Sequence, residues 1–373
     1  MHPASWHIVD SAFAAADEGL TPPPRVTEAN GAVLQIESLD RADPPSYRPG
    51  SVPRGAFNRN QFHLTGEPRM PAIEVRCTAA GFDPAITPIF WRLVSRHVLC
   101  RHSNVGSFRY RGSCQPLEVE WRGESRAASF TLFDPASRAC TSTYNDASRV
   151  LGGHALLMVA ALVGGTVLID FVHLRIAGVN PSQPDVFRYL DSRLTGFDQN
   201  IVLMVRAIFR HESAFSQFAA ASQSAAAMTF SRRHHAAGQP DCRVRFDWPD
   251  DPPRFPLASF DFGVGISQFT QVGGQVVSPE VAWDWRENIR LGTNLFLKKL
   301  ERRFQRGMTW RHWALAAWSA YNGAGAAAER YARQLAMSDE GARISLTSVE
   351  APPQIALLTP VAPLGVAEPW VSA

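Results

Sequence analysis

The hydrophobic pattern of this chain changes period once, near Asn180, and that change limits the fold more than any single residue. Before it, short apolar or alternating runs follow one another: IEVRC (Ile73–Cys77), IFWRLVSRHV (Ile89–Val98), SFRYRG (Ser107–Gly112), PLEVEWRG (Pro116–Gly123), ASFTLF (Ala128–Phe133), HALLMVAALV and TVLIDFVHLRI. Gly, Pro, Asn and Ser clusters separate them, the punctuation of β-strands. Beyond Asn180 the apolar residues recur at helical spacing. Ile201, Met204, Val205, Ile208 and Phe209 mark one buried helix face, and Ile289, Gly292, Thr293, Phe296, Leu297 and Leu300 mark another. Trp313, Ala316, Ala317 and Ala320 mark a third. The expectation is an α+β chain, with an antiparallel β-sandwich-like domain followed by a mainly α-helical domain.

The domain limits follow. Residues 1–70, rich in Pro, Gly, Asn and Arg, read as an irregular N-terminal segment, with one short strand at Ala32–Ile36. Residues 71–181 form the β-domain, and 182–345 the helical one. Asp185 is the expected cap of the first helix and Asp198 of the second. Residues 219–259, beginning Ala/Ser-rich, read as an insertion. The Pro-rich tail, 346–373, reads as extended or disordered. The most apolar stretch, Ala155–Phe171, is interrupted by Gly164-Gly165 and carries Asp170, so it reads as two strands around a turn and not as a membrane span.

A length of 373 residues suffices for two or three domains with real cores, and 45% hydrophobic with 19% charged residues is ordinary for a globular protein. The formal charge of +3 fits an anionic partner such as a cell wall and is too weak to point to nucleic acid. The N-terminus lacks a basic start followed by an apolar run, so no signal peptide is read there. The five cysteines, Cys77, Cys100, Cys114, Cys140 and Cys242, show no C-x-x-C spacing. Four lie in the N-terminal half, which leaves room for one or two disulfides there, and the odd number leaves a thiol over if the rest pair within the chain. Cys77, Trp91 and Cys140 resemble the immunoglobulin arrangement only loosely.

Within the helical half one acid stands out. Glu212 lies three and four residues beyond Phe209 and Ile208, on the edge of their apolar stripe. Partial desolvation there disfavours the anion, which is how a general acid is prepared for work near neutral pH. Four pieces then fall in fixed order: HESAF (His211–Phe215), FGVGISQFT (Phe262–Thr270), WDWRENIRLGTNLFLKKL (Trp283–Leu300) and ALAAWSAYNGAG (Ala314–Gly325). Together they resemble the soluble lytic transglycosylase family, whose fold is lysozyme-like. That pattern is a Glu-Ser pair at a helix end, a Gly-x-Gly-Leu-Met-Gln-like turn, an Asn-Ile-x-x-Gly helix and an Ala-Tyr-Asn-x-Gly segment. The resemblance covers residues 197–337. It departs from the family at Ile266-Ser267, where Leu-Met is usual, and in the long gap between Glu212 and Gln268.

The resemblance implies that Glu212 is the single acid/base and that Ser213 helps hold substrate. It implies that Gly263, Gly265 and Gln268 floor the cleft, that Asn288 is structural, and that Tyr321 and Asn322 close the cleft opposite. The implied reaction cleaves the β-1,4 bond between N-acetylmuramic acid and N-acetylglucosamine in peptidoglycan and closes a 1,6-anhydro ring, with no cofactor or metal. A goose-type lysozyme would hydrolyse the same bond with a second carboxylate, Asp261 or Asp284 being the candidates, although Asp261 reads more simply as a turn residue and Asp284 as the cap of the helix that follows. A non-catalytic wall-binding protein is the third reading. The implied substrate lies outside the cytoplasmic membrane, so delivery by a secretion apparatus or phage tail is expected, with an immunity partner conceivable. Other residues reduce to ordinary roles. His211-Glu212 lacks the second histidine of a zinc-protease helix, Phe215 standing in its place. His234, His235 and Cys242 are poorly spaced for a metal. Trp283, Trp285, Trp313 and Trp318 divide between core and glycan cleft. Lys298, Lys299, Arg302 and Arg303 read as a solvated helix face.

Overall fold

The computed structural model describes residues 3–14, 22–41, 61–64, 66, 68–101, 113–133, 150–218, 256, 263–269 and 277–360. It is an α+β chain with β-sheets in the N-terminal part and helices in the C-terminal part. Two compact units are present. One comprises Met1–Arg101, Gly112–Val179 and Ala220–Phe255, the other His102–Arg111, Asn180–Ala219 and Pro256–Ala373.

The first unit begins with helix α1 (Pro3–Ala14) and strands β1 (Glu28–Ala29), β2 (Ala32–Arg41) and β3 (Gln61–His63). The first 70 residues, expected to be irregular, therefore contribute a helix and three strands. Then come β4 (Ile73–Ala80), β5 (Ile89–Arg101), β6 (Ser113–Ser125), β7 (Ser129–Leu132), β8 (Gly153–Val163) and β9 (Thr166–Ala177). Strands β1-β2-β4-β7 form an antiparallel sheet, and β3-β9-β8-β5-β6 a curled mixed sheet in which β3 runs parallel to β9.

The hairpin β8–β9 is the expected pair of strands. Gly164 (φ 57°) and Gly165 (φ 82°) both occupy the left-handed region that a two-residue turn between right-twisted strands requires. The apolar run of β8 is buried on both faces. On one side Val9 and Phe13 of α1 pack on Phe90, Val94, Leu156, Met158, Ala160 and Ile169. Asp170, the one charge in the run, answers a local need. Strand β2 shifts register between Ile36 and Ser38, and the Ile36 N–H donates to Asp170 Oδ2 at 2.8 Å. Arg25 Nε lies 2.8 Å from Asp170 Oδ1. Cys77 is a buried free thiol, so it forms no disulfide. Burial, then Asp170 and Glu37, pushes its pKa up to about 12. The side chains of Cys100 and Cys114, and Cys140 and Cys242 altogether, lie outside the described residues.

The second unit contains α2 (Gln183–Arg193), α3 (Gln199–Ser213), α4 (Pro279–Trp283), α5 (Trp285–Arg302), α6 (Trp310–Asn322), α7 (Ala326–Ala336) and α8 (Asp339–Ala342). Asp198 caps α3 as expected. The cap of α2 is Ser182, which accepts the Asp185 N–H, while Asp185 sits in the first turn. Helix α3 buries Val202, Leu203 and Ala207 besides its expected face, so it is the central helix of the unit. All four tryptophans weighed between core and cleft are core. Trp313 Nε1 donates to Leu300 O, and Trp318 Nε1 to Met204 O. The tail is an extended strap as far as Pro360. Val349 N donates to Met308 O, and the Asn294 side-chain amide pairs with both the N–H and C=O of Leu358. Among the described residues no helix is long and apolar enough to cross a membrane.

Candidate functional site

Helix α3 delivers Glu212 in its last turn and then ends abruptly. Ala214 (φ 49°) and Phe215 (φ 63°) both take left-handed backbone, which turns the chain away from the helix axis. The Ala214 and Phe215 N–H groups return to carbonyls of the last helical turn. Two consecutive non-glycine residues in that region are costly and need support from packing. Phe215, buried in the core, supplies it.

The segment Gly263–Phe269 is a tight turn closed by a β-bridge between Val264 and Phe269. Side chains from three helices and from the loop after α3 bond to its backbone. Gln217, fully buried, accepts the Ile266 N–H at 3.1 Å and donates to Ala282 O at 2.7 Å. Asn288 on α5 accepts the Ser267 N–H at 2.9 Å and donates to Val264 O at 2.7 Å and Val281 O at 3.0 Å. Ser213 Oγ donates to Ile266 O at 2.8 Å, and Tyr321 Oη on α6 to Ser267 O at 2.9 Å. The turn is thus pinned against the end of α3. Gly265 has φ +70°, and a Cβ there would lie 2.4 Å from Gln217 Oε1 and 2.6 Å from Asn288 Nδ2. At Gly292 a Cβ would meet Ser267 Cβ at 2.2 Å, so α5 can approach the turn only without a side chain there.

The carboxyl group of Glu212 is half-buried, and Tyr331 on α7 donates its phenolic proton to Oε1 at 2.6 Å. Burial, and then the charge of Glu212, raises the pKa of both Tyr331 and Tyr321. Both phenols therefore remain neutral donors. The ring of His211 meets the Tyr331 ring edge-on, with centroids 4.9 Å apart. Desolvation lowers the pKa of His211. Behind Glu212, Arg210 forms a bidentate pair with the buried Glu340 of α8.

The structure brings together Glu212, Ser213, Gly263, Gly265, Gln268, Asn288 and Tyr321, residues from distant parts of the sequence. Gln268 Nε2 donates to Gly265 O at 2.8 Å, within its own turn. Asn322 is exposed at the end of α6 and takes no part in the hydrogen-bonded cluster. Asp284 caps α5 by accepting the Arg286 and Glu287 N–H groups, and burial raises its pKa to about 6. Asp261, His234, His235 and most of the 219–259 insertion lie outside the described residues. Lys299, expected on a solvated face, donates to Ala320 O and Tyr321 O and so caps α6. Burial, with Arg303 and Arg302 nearby, lowers its pKa.

Two residues of the cluster escaped sequence reasoning. Gln217 follows the Glu-Ser pair by only a few residues, yet nothing in its neighbours shows that it faces inward. Tyr331 carried a weak signal. It lies in the apolar stripe Ala328, Tyr331, Ala332, Leu335, where a buried hydroxyl requires a partner. Compared with protein-family models, with curated proteins and with solved structures, the chain has no match in any of the three.

Proposed function

We propose that this chain is a peptidoglycan-cleaving lytic transglycosylase whose helical unit is a lysozyme-like domain and whose β-rich unit is a docking or export module. The observation that carries the reading is Glu212, half-buried at a helix end, bonded by the Tyr331 phenol and set beside a turn whose backbone is pinned by side chains at Ile266 and Ser267. A general acid needs a defined orientation and restricted solvent, and this arrangement supports both. In the reaction, protonated Glu212 gives its proton to the oxygen between N-acetylmuramic acid and N-acetylglucosamine as that bond breaks. The acetamido group of the muramoyl residue stabilises the cation at its C1. Glu212, now ionised, takes the proton of the muramoyl 6-hydroxyl as its oxygen bonds to C1, which leaves a 1,6-anhydro end and restores the acid.

One carboxylate suffices for this sequence, as in other substrate-assisted glycosidases. The commitment of Asp284 to two backbone N–H groups weighs against Asp284 as the second carboxylate that would position water in a hydrolytic route. The test is digestion of purified sacculi by wild type and Glu212→Gln, with mass spectrometry of the muropeptides. Anhydro ends from wild type alone support the proposal. Reducing ends indicate hydrolysis, and equal silence of both proteins on several walls rejects the enzyme reading. Retained wall binding without product would then point to the non-catalytic alternative. The reading places the protein's work at the cell wall, reached through a secretion apparatus or phage tail.

A further inference from the structure

Two cysteines of the β-rich unit stand opposite each other in the backbone register. Strands β5 and β6 pair antiparallel without a shift from Ile89 opposite Ser125 to Arg101 opposite Ser113, which sets Cys100 opposite Cys114 beside the open end of the ladder. We infer that Cys100 and Cys114 are a modification site, joined as a cross-strand disulfide in an oxidising compartment. This inference does not depend on the reading of Glu212.

The class of the pair decides whether a bridge fits. Opposed residues in an antiparallel ladder alternate between pairs that exchange two backbone hydrogen bonds and pairs that exchange none. The second kind brings the Cα atoms closer, to about 4.5 Å. Val98 stands opposite Pro116. Proline has no N–H to give, so this pair is of the second kind. The sheet permits a proline there because β6 is its edge strand, with no neighbour on the far side to want that donor. Pairs two residues apart share a class, so Cys100 and Cys114 occupy a close, non-hydrogen-bonded position as well. Disulfides span Cα separations of about 4.4–6.8 Å. One step of two residues in the other direction, opposed side chains of the same class engage, with Arg96 Nε 3.8 Å from Glu118 Oε2. Cys77 is a poor competitor. It lies on β4 in the other sheet, opposite Ile36, and burial pushes its pKa up to about 12, which keeps it an unreactive thiol.

The oxidant is a small-molecule disulfide such as oxidised glutathione. One cysteine thiolate attacks it, the S–S bond breaks, and one glutathione leaves as a thiol. The second cysteine thiolate then displaces the other glutathione. Two protein thiols are thereby oxidised, one external disulfide is reduced, and both protons end on the released thiols.

The test equilibrates the purified chain with mixtures of reduced and oxidised glutathione, blocks free thiols with iodoacetamide, and reads tryptic peptides by mass spectrometry. Cleavage after Arg96, Arg101, Arg111 and Arg122 separates the two cysteines, so the bridge appears as His97–Arg101 joined to Gly112–Arg122. The joined peptides should form in wild type and vanish in Cys100→Ser, whose Cys114 should carry the blocking group. Because the native register holds the two positions together, the equilibrium constant for bridging should be about tenfold to a hundredfold larger in the native chain than in the same chain unfolded in urea. That comparison uses wild type alone, so it decides the matter even where a variant fails to fold. Equal constants in the two states overturn the inference. So does a bridge from either cysteine to the Cys140 or Cys242 peptide, or full blocking of both thiols under oxidising conditions.

Discussion

The two units of this chain treat their buried polar groups differently. In the β-rich unit the buried carboxylate of Asp170 serves strand geometry, satisfying the bulge N–H of Ile36 and pairing with Arg25. In the helical unit Gln217, Ser267 and Asn288, all fully buried, converge on one turn, and that turn lies against the end of the helix that carries Glu212. Dispersed polar burial maintains a fold. Polar burial concentrated on a backbone segment beside a half-buried acid builds a rigid surface around it, as catalysis and binding sites require. On the proposed reading, chemistry belongs to the second unit and support to the first.

The largest effect should come from the acid. Glu212→Gln should reduce anhydro-muropeptide release by about a thousandfold, the scale of general acid–base catalysis, while leaving thermal stability close to wild type. Muropeptide mass spectrometry together with a melting curve reads both. Loss of stability without loss of product would reverse the contrast. Next is the turn. Asn288→Ala removes the partners of Ser267 N, Val264 O and Val281 O at once. It should cost about 3 kcal/mol and speed hydrogen exchange at the Ser267 amide. If exchange there is unchanged, the turn is held by Gln217, Ser213 and Tyr321 without Asn288.

A smaller effect is expected in the β-rich unit. Asp170→Ala leaves the Ile36 N–H without its acceptor and should cost about 2 kcal/mol, seen as faster exchange at Ile36, while product release per folded molecule stays at the wild-type level. A fall in turnover per folded molecule would show that the first unit shapes the catalytic surface. An effect of similar size, but dependent on pH, concerns Asp284. Its pKa is raised to about 6, so burial penalises the ionised form. The associated stability is fully present below the ordinary value near 3.8 and is lost as pH rises through about 6. Asp284→Asn keeps a good helix cap and abolishes this dependence. The stability difference between wild type and variant should therefore change by roughly 2 kcal/mol between pH 4 and pH 7, wild type gaining on the acid side. A pH-independent difference would refute the assignment.

Much of the fold was legible because it follows from period and punctuation. The strands β4, β5, β8 and β9, the glycine turn between the last two, the apolar face of α3 and the caps Asp198 and Asp284 are local properties of side-chain spacing and short polar groups. The first 70 residues misled because Pro and Gly signal breaks and say nothing of what lies between them. Helix α1 and strand β2 are held by contacts with strands far along the chain. The Pro-rich tail is extended as far as Pro360, one of the two states its composition allowed, but composition does not say what holds it. Its order to Pro360 comes from Asn294 and Arg290 bonding to Leu358, a pairing across more than 60 residues that no local pattern records.

At the site the division is finer. Sequence spacing alone placed Glu212 on the edge of a buried helical stripe, since a helix period fixes which residues share a face. The family resemblance, and not the spacing, marked glycines at 263 and 265, where close approach was to be expected. Only the tertiary structure decided which hydroxyl meets the carboxyl group and which meets the turn. Tyr321 and Tyr331 are chemically identical and both lie on the helical unit's buried side, so composition and period cannot tell them apart. Tyr321 lies on α6 and Tyr331 on α7, on either side of the break at Gly323–Gly325, and each hydroxyl meets the partner that folding brings to its helix.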